Sequence, residues 1–331
     1  MRASRKLESG MFSIVVPLYN QQHLIRRTVA SVFAQTFEDF ELIVVDDGST
    51  DESVSVLRAC SDPRLRLIRQ ENAGTAAARN TGMYAGHREW IAFLDADDIW
   101  FPDHLAELAR IAARFPDAGM IGTSYVEGAD QNLEPPPQRQ SRIRKIDYLR
   151  EAARDVGVLW TSAIALRRSL ALQVGDFEPF KYGEDLQYWV RMALAAPVAK
   201  SSRVTAHYFR HADSAMAQAG KPGNEPKLPR NIGELWPSAA YLERVKHASE
   251  NRHLRGRIEA YQRSLVYITV VGYLARDQIE HARAVARLLE RPRLDRASIA
   301  AFLLKLPKPL LRAGLSVRKW LRRKTMSFRP R

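Results

Sequence analysis

Two short apolar runs, Ser13-Ile14-Val15-Val16-Pro17 and Glu41-Leu42-Ile43-Val44-Val45, stand on either side of a segment with helical spacing. No other feature constrains the fold as much. Neither run alternates apolar with polar residues, so both faces of each strand need cover, the condition of a parallel sheet with helices on both sides. Between them, residues 21–35 carry Leu24, Ile25, Val29, Val32 and Phe33 at the spacing of an amphipathic helix. Strand, helix and strand in that order form the unit from which parallel sheets are built.

The pattern continues. Residues 53–59 read as a helix, 64–69 as a strand, 73–85 as an alanine-rich helix and 90–94 as a strand. Residues 102–115 read as a helix with proline at its start. Residues 119–126 resemble a further strand and 134–137 a proline-rich loop, so the chain is α/β to about residue 125 and mixed beyond. No repeat of solenoid period is present. The expected class is α/β, a mostly parallel central sheet flanked by helices, followed by a basic helical extension.

A chain of 331 residues with 46% hydrophobic residues has ample material for a core. The single cysteine, Cys60, forms no internal disulfide and offers no zinc spacing, which fits a reducing cytoplasmic setting. Residues 1–10 are polar and basic and lack the apolar centre of a signal peptide, so export is not expected. The most apolar stretch, 264–275, is well short of the ~20 residues that cross a bilayer and reads as a buried helix. Charge is unevenly placed. Residues 1–220 carry 26 Lys and Arg against 28 Asp and Glu, whereas residues 221–331 carry 25 against 9. That asymmetry points to an anionic partner for the C-terminal third.

Polar clusters follow the strands, at the ends where open α/β sheets bind ligands. They are Pro17-Leu18-Tyr19-Asn20, then Asp46-Asp47-Gly48-Ser49-Thr50-Asp51, then residues 72–80 from Asn72 to Asn80, then Asp95-Ala96-Asp97-Asp98. Gly183-Glu184-Asp185 comes later and opens a helical pattern. Carboxylates crowded at the end of an apolar strand repel one another unless a cation or donors stand nearby, and a hard divalent cation takes such oxygen ligands. A solvated turn or helix cap is the plainer account of each cluster taken alone.

Together, in this order, S-I-V-V-P-L-Y-N, V-D-D-G-S-T-D, N-A-G-x-A-x-A-R-N-x-G, F-L-D-A-D-D and G-E-D-L-Q-Y-W resemble the family-2 glycosyltransferases of the GT-A fold. The resemblance runs from Phe12 to Met216, about two-thirds of the chain. It implies a glycosyltransferase domain over 11–216; by composition, the Gly/Pro-rich polar stretch 217–230 reads as a linker or mobile loop and 231–331 as a basic helical region.

It also implies roles. Pro17 and Tyr19 would flank a nucleotide base, with Asn20 beside them, and Asp47 would accept from the base N3–H, favouring uracil or thymine. Asn72 and Gly74 would allow close backbone approach to the ribose and diphosphate, and Arg79 would pair with the pyrophosphate or else sit in a structural ion pair. Asp95 and Ala96 would lie on the ribose side, Asp97 with Asp95 would hold Mg²⁺ or Mn²⁺, and Asp98 would cap the following turn or else orient the pair. Asp185 would be the general base of an inverting displacement, with Glu184 sharing that task or binding acceptor; an N-cap pair is the structural alternative. Arg210 would approach the diphosphate from a closing segment and His211 would be a further metal ligand. Trp160-Thr161-Ser162 would line the acceptor side.

The donor implied is a UDP- or dTDP-sugar and the acceptor a hydroxyl of a glycan or lipid-linked molecule, in cell-surface polysaccharide synthesis. Residues 305–331 hold ten Lys and Arg and no acid, with Leu310, Leu311, Val317, Trp320 and Leu321 near helical spacing. Such a basic amphipathic helix suits the anionic inner face of a cell membrane, and a solvated basic tail is its alternative. No nucleic-acid module is recognisable. A nucleotidyltransferase would need a glycine-rich basic loop after the first strand, which Pro17-Leu18-Tyr19-Asn20 is not. An inactive carbohydrate- or membrane-binding scaffold on the same fold is the non-enzymatic reading.

Overall fold

The computed structural model describes residues 10–129, 134–137, 141–212 and 228–289. It divides into two units, Met1–Tyr148 with Gly157–Arg210, and Leu149–Val156 with His211–Arg331.

The first unit is built on a nine-stranded sheet among the described residues. Its strands are β1 (Phe12–Leu18), β2 (Phe40–Asp46), β3 (Leu65–Arg69), β4 (Trp90–Phe93), β5 (Ile99–Trp100), β6 (Met120–Gly128), β7 (Ile143–Ile146), β8 (Ile164–Arg167) and β9 (Val198–Phe209). They lie in the order β3-β2-β1-β4-β8-β6-β9-β5, with β7 paired to β9 off that path. β3, β2, β1 and β4 run parallel, whereas β8 is antiparallel to both β4 and β6. The parallel half matches the expected pattern. The mixed half adds β5, β7, β8 and β9, which no sequence period announced.

Helices α1 (Ile25–Phe33), α2 (Ser53–Arg58), α3 (Thr75–Ala85) and α4 (His104–Arg114) follow the first strands. Each lies inside its expected range. The apolar runs bury both faces. Ile14, Val16 and Leu18 join Ile25, Val29 and Val32 of α1 in one cluster. On the other face Ile43 and Val45 meet Ala78 of α3. There the approach is close, because a Cβ on Gly82 would come within 2.2 Å of Val15 Cγ1. Glycine is what lets α3 lie flat on β1.

Helix α5 (Tyr148–Ala152) leads towards the second unit, and α6 (Arg168–Val174) and α7 (Glu184–Ala195) return to the first. The second unit holds α8 (Pro237–Ala248), α9 (Arg252–Ala275) and α10 (Ile279–Ala286). Val266, Val270 and Tyr273 of α9 pack with Ile279, Ala282 and Val285 of α10, so one face of the apolar stretch 264–275 is buried in that unit while the rest is partly exposed. Among the described residues no helix is long and apolar enough to cross a membrane. Residues 1–9, linker positions 217–227 and the basic segment 305–331 lie outside the described residues.

Candidate functional site

Strand β1 pairs in parallel with β2 on one side and β4 on the other, so the C-terminal ends of all three open on one edge. The chain leaves that edge in different directions, which opens the crevice where α/β sheets bind ligands. Pro17 is half-buried within β1, and Tyr19 just beyond it keeps 48% of its surface exposed. Asn20 takes a left-handed conformation, φ +50°. Its N–H donates to Ser49 Oγ at 3.0 Å and its Oδ1 accepts from Thr50 N at 2.9 Å, tying the first crossover to the second.

Asp47 gathers the next loop. Its Oδ1 accepts from Gln70 Nε2 at 2.7 Å and Ala73 N at 2.9 Å, and its Oδ2 from Gly74 N at 2.8 Å. The turn itself is made by Asp46, whose Oδ1 accepts from Ser49 N at 3.1 Å, and the helix-start hydrogen bond by Asp51, whose Oδ1 accepts from Ser53 N at 3.0 Å. Asn72 and Gly74 are exposed, and Gly74 has φ +88° with open space where a Cβ would stand. The loop after β3 is therefore held from below and bare above.

At the end of β4 the three aspartates separate. Asp98 is fully buried. Its Oδ1 accepts from Phe209 N at 2.9 Å, and its Oδ2 from Ser162 Oγ at 2.5 Å and Trp160 Nε1 at 3.2 Å. Burial first, then the charges of Asp97 and Asp95, hold its carboxyl well above the usual carboxylate range. Asp98 is thus not the cap of a turn, as the sequence reading had it, but the anchor that ties β9 and residues 160–162 to the end of β4. Ala96 is buried and its carbonyl, with that of Asp98, accepts from Thr28 Oγ1 at 2.9 and 2.8 Å. Arg27 of α1 adds a further contact, its Nη2 donating to the Asp97 carbonyl at 2.6 Å and its guanidinium lying 4.0 Å from the Phe209 ring centroid.

Asp95 and Asp97 are half-buried. Asp95 Oδ1 accepts from Arg79 Nη2 at 2.8 Å, and Arg79 Nη1 donates to Glu184 Oε1 at 2.8 Å. Of the two readings of Arg79, the ion pair is the one observed: its side chain is 5% exposed and bridges two carboxylates. Burial alone would lower its pKa, but Asp95, Glu184 and Asp185 outweigh that and hold it above the ordinary arginine value. Glu184 is pushed up by burial, with Arg79 opposing and Asp185 adding to the rise. Burial also raises Asp95, against Arg79 and with Asp97.

Gly183, at φ +77°, makes the tight turn that starts α7 and puts Glu184 and Asp185 in its first turn. Asp185 Oδ2 accepts from Thr161 Oγ1 at 3.1 Å and Oδ1 from Leu186 N at 2.7 Å. Neighbouring residues thus reach both carboxylate groups, Thr161 bonding Asp185 while Ser162 bonds Asp98 and accepts from Asp95 N at 3.1 Å. Arg210 pairs with Glu127 at 3.3 Å and is 64% exposed, and His211 opens the second unit.

Among the described residues no three His, Cys, Asp or Glu side chains form a metal cage. Two carboxylates whose charges burden one another still suit a hard cation that completes its shell with phosphate oxygens and water. Asp98 is excluded from that donor set, since it is fully buried and its carboxylate is spent on Phe209, Ser162 and Trp160. Arg27 escaped the sequence reading, although it stands beside the buried Thr28 of α1. Thr161 was expected only on the acceptor side, and its hydrogen bond to Asp185 left no trace in the sequence.

The model for glycosyl transferase family 2 matches residues 13–175. An uncharacterized glycosyltransferase of Nostoc sp. is 31% identical over 181 residues, 51% of this chain and 55% of that protein. Escherichia coli WfgD, named UDP-Glc:alpha-D-GlcNAc-diphosphoundecaprenol beta-1,3-glucosyltransferase, is 40% identical over 100 residues, 30% of this chain and 40% of that one. The chain thus spans about half or less of the curated relatives it matches. S. aureus TarS 1-349, solved in complex with UDP-GlcNAc, is 16% identical with a TM-score of 0.66 over 92% of both chains, a likeness of fold. Motif order and the family match agree: residues 13–175 carry a glycosyl transferase family 2 domain, on a GT-A fold.

Proposed function

We propose that the protein is an inverting, metal-dependent glycosyltransferase that moves a sugar from a UDP- or dTDP-sugar to a hydroxyl of a glycan or lipid-linked acceptor. The observation that carries this reading is the bridge Asp95–Arg79–Glu184, which fixes the end of β4 against the start of α7 at 2.8 Å on each side. It sets the aspartates of one motif and Asp185 of the other on one crevice, as a displacement with attack and departure on opposite faces requires.

In this reading Tyr19 offers its exposed ring to the base beside Pro17 and Asn20, and Asp47 accepts the base N3–H on a remaining lone pair. Asn72 and Gly74 let the nucleotide approach the backbone. Asp97 and Asp95 would hold Mg²⁺ or Mn²⁺, which neutralises charge on the departing nucleoside diphosphate. Asp185 takes the proton of the attacking hydroxyl, with Thr161 fixing the carboxylate's orientation. Glu184 and Arg79 position the two motifs. Arg210 would reach the diphosphate on leaving Glu127.

The UDP-GlcNAc held by TarS and the diphosphoundecaprenol acceptor named for WfgD support the donor and acceptor classes. The excess of basic residues beyond residue 220 supports work at the inner face of an anionic membrane. The test is slow hydrolysis of a panel of UDP-sugars with Mn²⁺. Turnover that disappears in Asp97→Asn is expected; no binding or turnover of any nucleotide sugar, with Asp97→Asn without effect, would contradict the reading.

A further inference from the structure

Away from the crevice, a pocket of about 540 Å³ is lined by Arg110, Arg114, Ser141, Arg142, Ile143 and Arg144. Arg110 and Arg114 stand one turn apart on one face of α4. Arg142 and Arg144 lie two residues apart, on one face at the start of β7. Like charges at both spacings repel; Glu107 offsets Arg110 at 2.6 Å, and among the described residues the pocket lining itself contains no acid. This happens in the part of the chain where acids outnumber bases 28 to 26, so the patch does not follow from overall composition.

The backbone beneath these cations is rigid. Arg144 pairs with Lys200 of β9, while Arg142 N donates to Ser202 Oγ at 2.9 Å and its carbonyl accepts from Ser202 N at 3.0 Å. Leu105, Leu108 and Ile111 seat α4 in the core. Two neighbouring acids among the described residues are engaged: Glu107 accepts from Arg110 at 2.6 Å and from Ser201, and Asp117 pairs with Lys145 at 2.5 Å. The pocket is also remote from the carboxylates. Ser201 lies opposite Ile143, and Phe209, which bonds Asp98, is eight residues further along β9. At ~3.3 Å per residue that is roughly 25 Å.

We propose that this pocket is an oxyanion site for a phosphate group, taken as a phosphomonoester or phosphodiester. Guanidinium forks suit both carboxylate and phosphate, but forks arriving from a helix on one side and a strand on the other need more oxygens than a planar carboxylate presents. Lipid headgroup and free phosphate share this chemistry, and two arms of one experiment separate them.

The full chain is titrated with inorganic phosphate by calorimetry, without metal and at low ionic strength, and floated with phosphatidylglycerol or phosphatidylcholine vesicles. Arg142→Gln/Arg144→Gln removes two pocket charges. Arg58→Gln/Arg66→Gln removes two from exposed positions elsewhere and serves as the charge-matched control. Phosphate binding weakened about tenfold in the pocket variant, with the control unchanged, supports the proposal with free phosphate as a sufficient ligand. Loss confined to phosphatidylglycerol vesicles supports it with a lipid headgroup. Equal behaviour of pocket variant and control in both arms overturns it. If the pocket variant unfolds, Arg114→Gln, exposed on the last turn of α4, carries the same comparison.

Discussion

Arg79 is the residue on which the crevice turns. It is buried between Asp95 and Glu184, so replacing it with methionine would strand two carboxylates without their cation. Breaking a buried pair in this way costs about 3–5 kcal/mol. We expect Arg79→Met to lower the urea midpoint accordingly, and Arg79→Lys, which keeps the charge but loses the two-sided fork, to fall between. A variant as stable as the wild type would show the bridge to be dispensable. Thr161 makes a finer point. Thr161→Val removes the hydroxyl that bonds Asp185 at 3.1 Å, and Thr161→Ser retains it. In the UDP-sugar hydrolysis assay we expect kcat to fall about tenfold in the valine variant, with KM little changed, and to recover in the serine variant. Equal rates for valine and serine would remove Thr161 from the mechanism.

Among elements, α3 and α4 carry the sharpest expectations. Gly82→Ala forces a methyl to within 2.2 Å of Val15 Cγ1, between α3 and the central strand. Overpacking of this kind costs about 1–3 kcal/mol and would appear as a lower melting temperature. At the start of α4, His104 stacks on Trp100 at 4.2 Å and bonds Thr205 Oγ1 at 2.7 Å. Burial pushes its imidazole from 6.5 down to about 3. The unfolded chain therefore binds a proton that the folded one refuses between those values. Stability should fall as pH drops from 6.5 towards 3, by about tenfold in the folded-to-unfolded ratio per unit, and be unaffected by this group above 6.5. Urea midpoints of wild type and His104→Phe across that window check the slope; parallel curves would contradict it.

The same elements show how far the sequence could be read. β1, α1 and β2 were legible because nearly all their buried positions are apolar, Ser13, Thr28 and Asp46 being the exceptions. β9 was not. Its run V-A-K-S-S-R-V-T-A-H-Y-F buries Ser201, Thr205 and His207 through hydrogen bonds, so hydropathy does not mark its inner face. The two-residue β5 has no period at all. The motif aspartates could be listed from sequence, but what separates Asp98 from Asp97 is the contact with Ser162 and Phe209, which lie 64 and 111 residues away in the chain.

At the scale of the molecule, the charge is divided between a nearly neutral first part and a strongly basic last third. Binding to anionic vesicles should therefore weaken as salt rises from about 0.1 M to 1 M, where the Debye length shrinks from ~10 Å to ~3 Å. Binding insensitive to salt would point to apolar insertion instead. The account as a whole rests on Asp185 acting on the attacking hydroxyl from a crevice that Asp95 and Asp97 share. The most direct measurement is Mn²⁺-dependent UDP-sugar turnover by Asp185→Asn, beside UDP binding by the same variant. The account predicts a loss of about 10²–10⁴ in kcat with UDP affinity unchanged; turnover at the wild-type rate would contradict it.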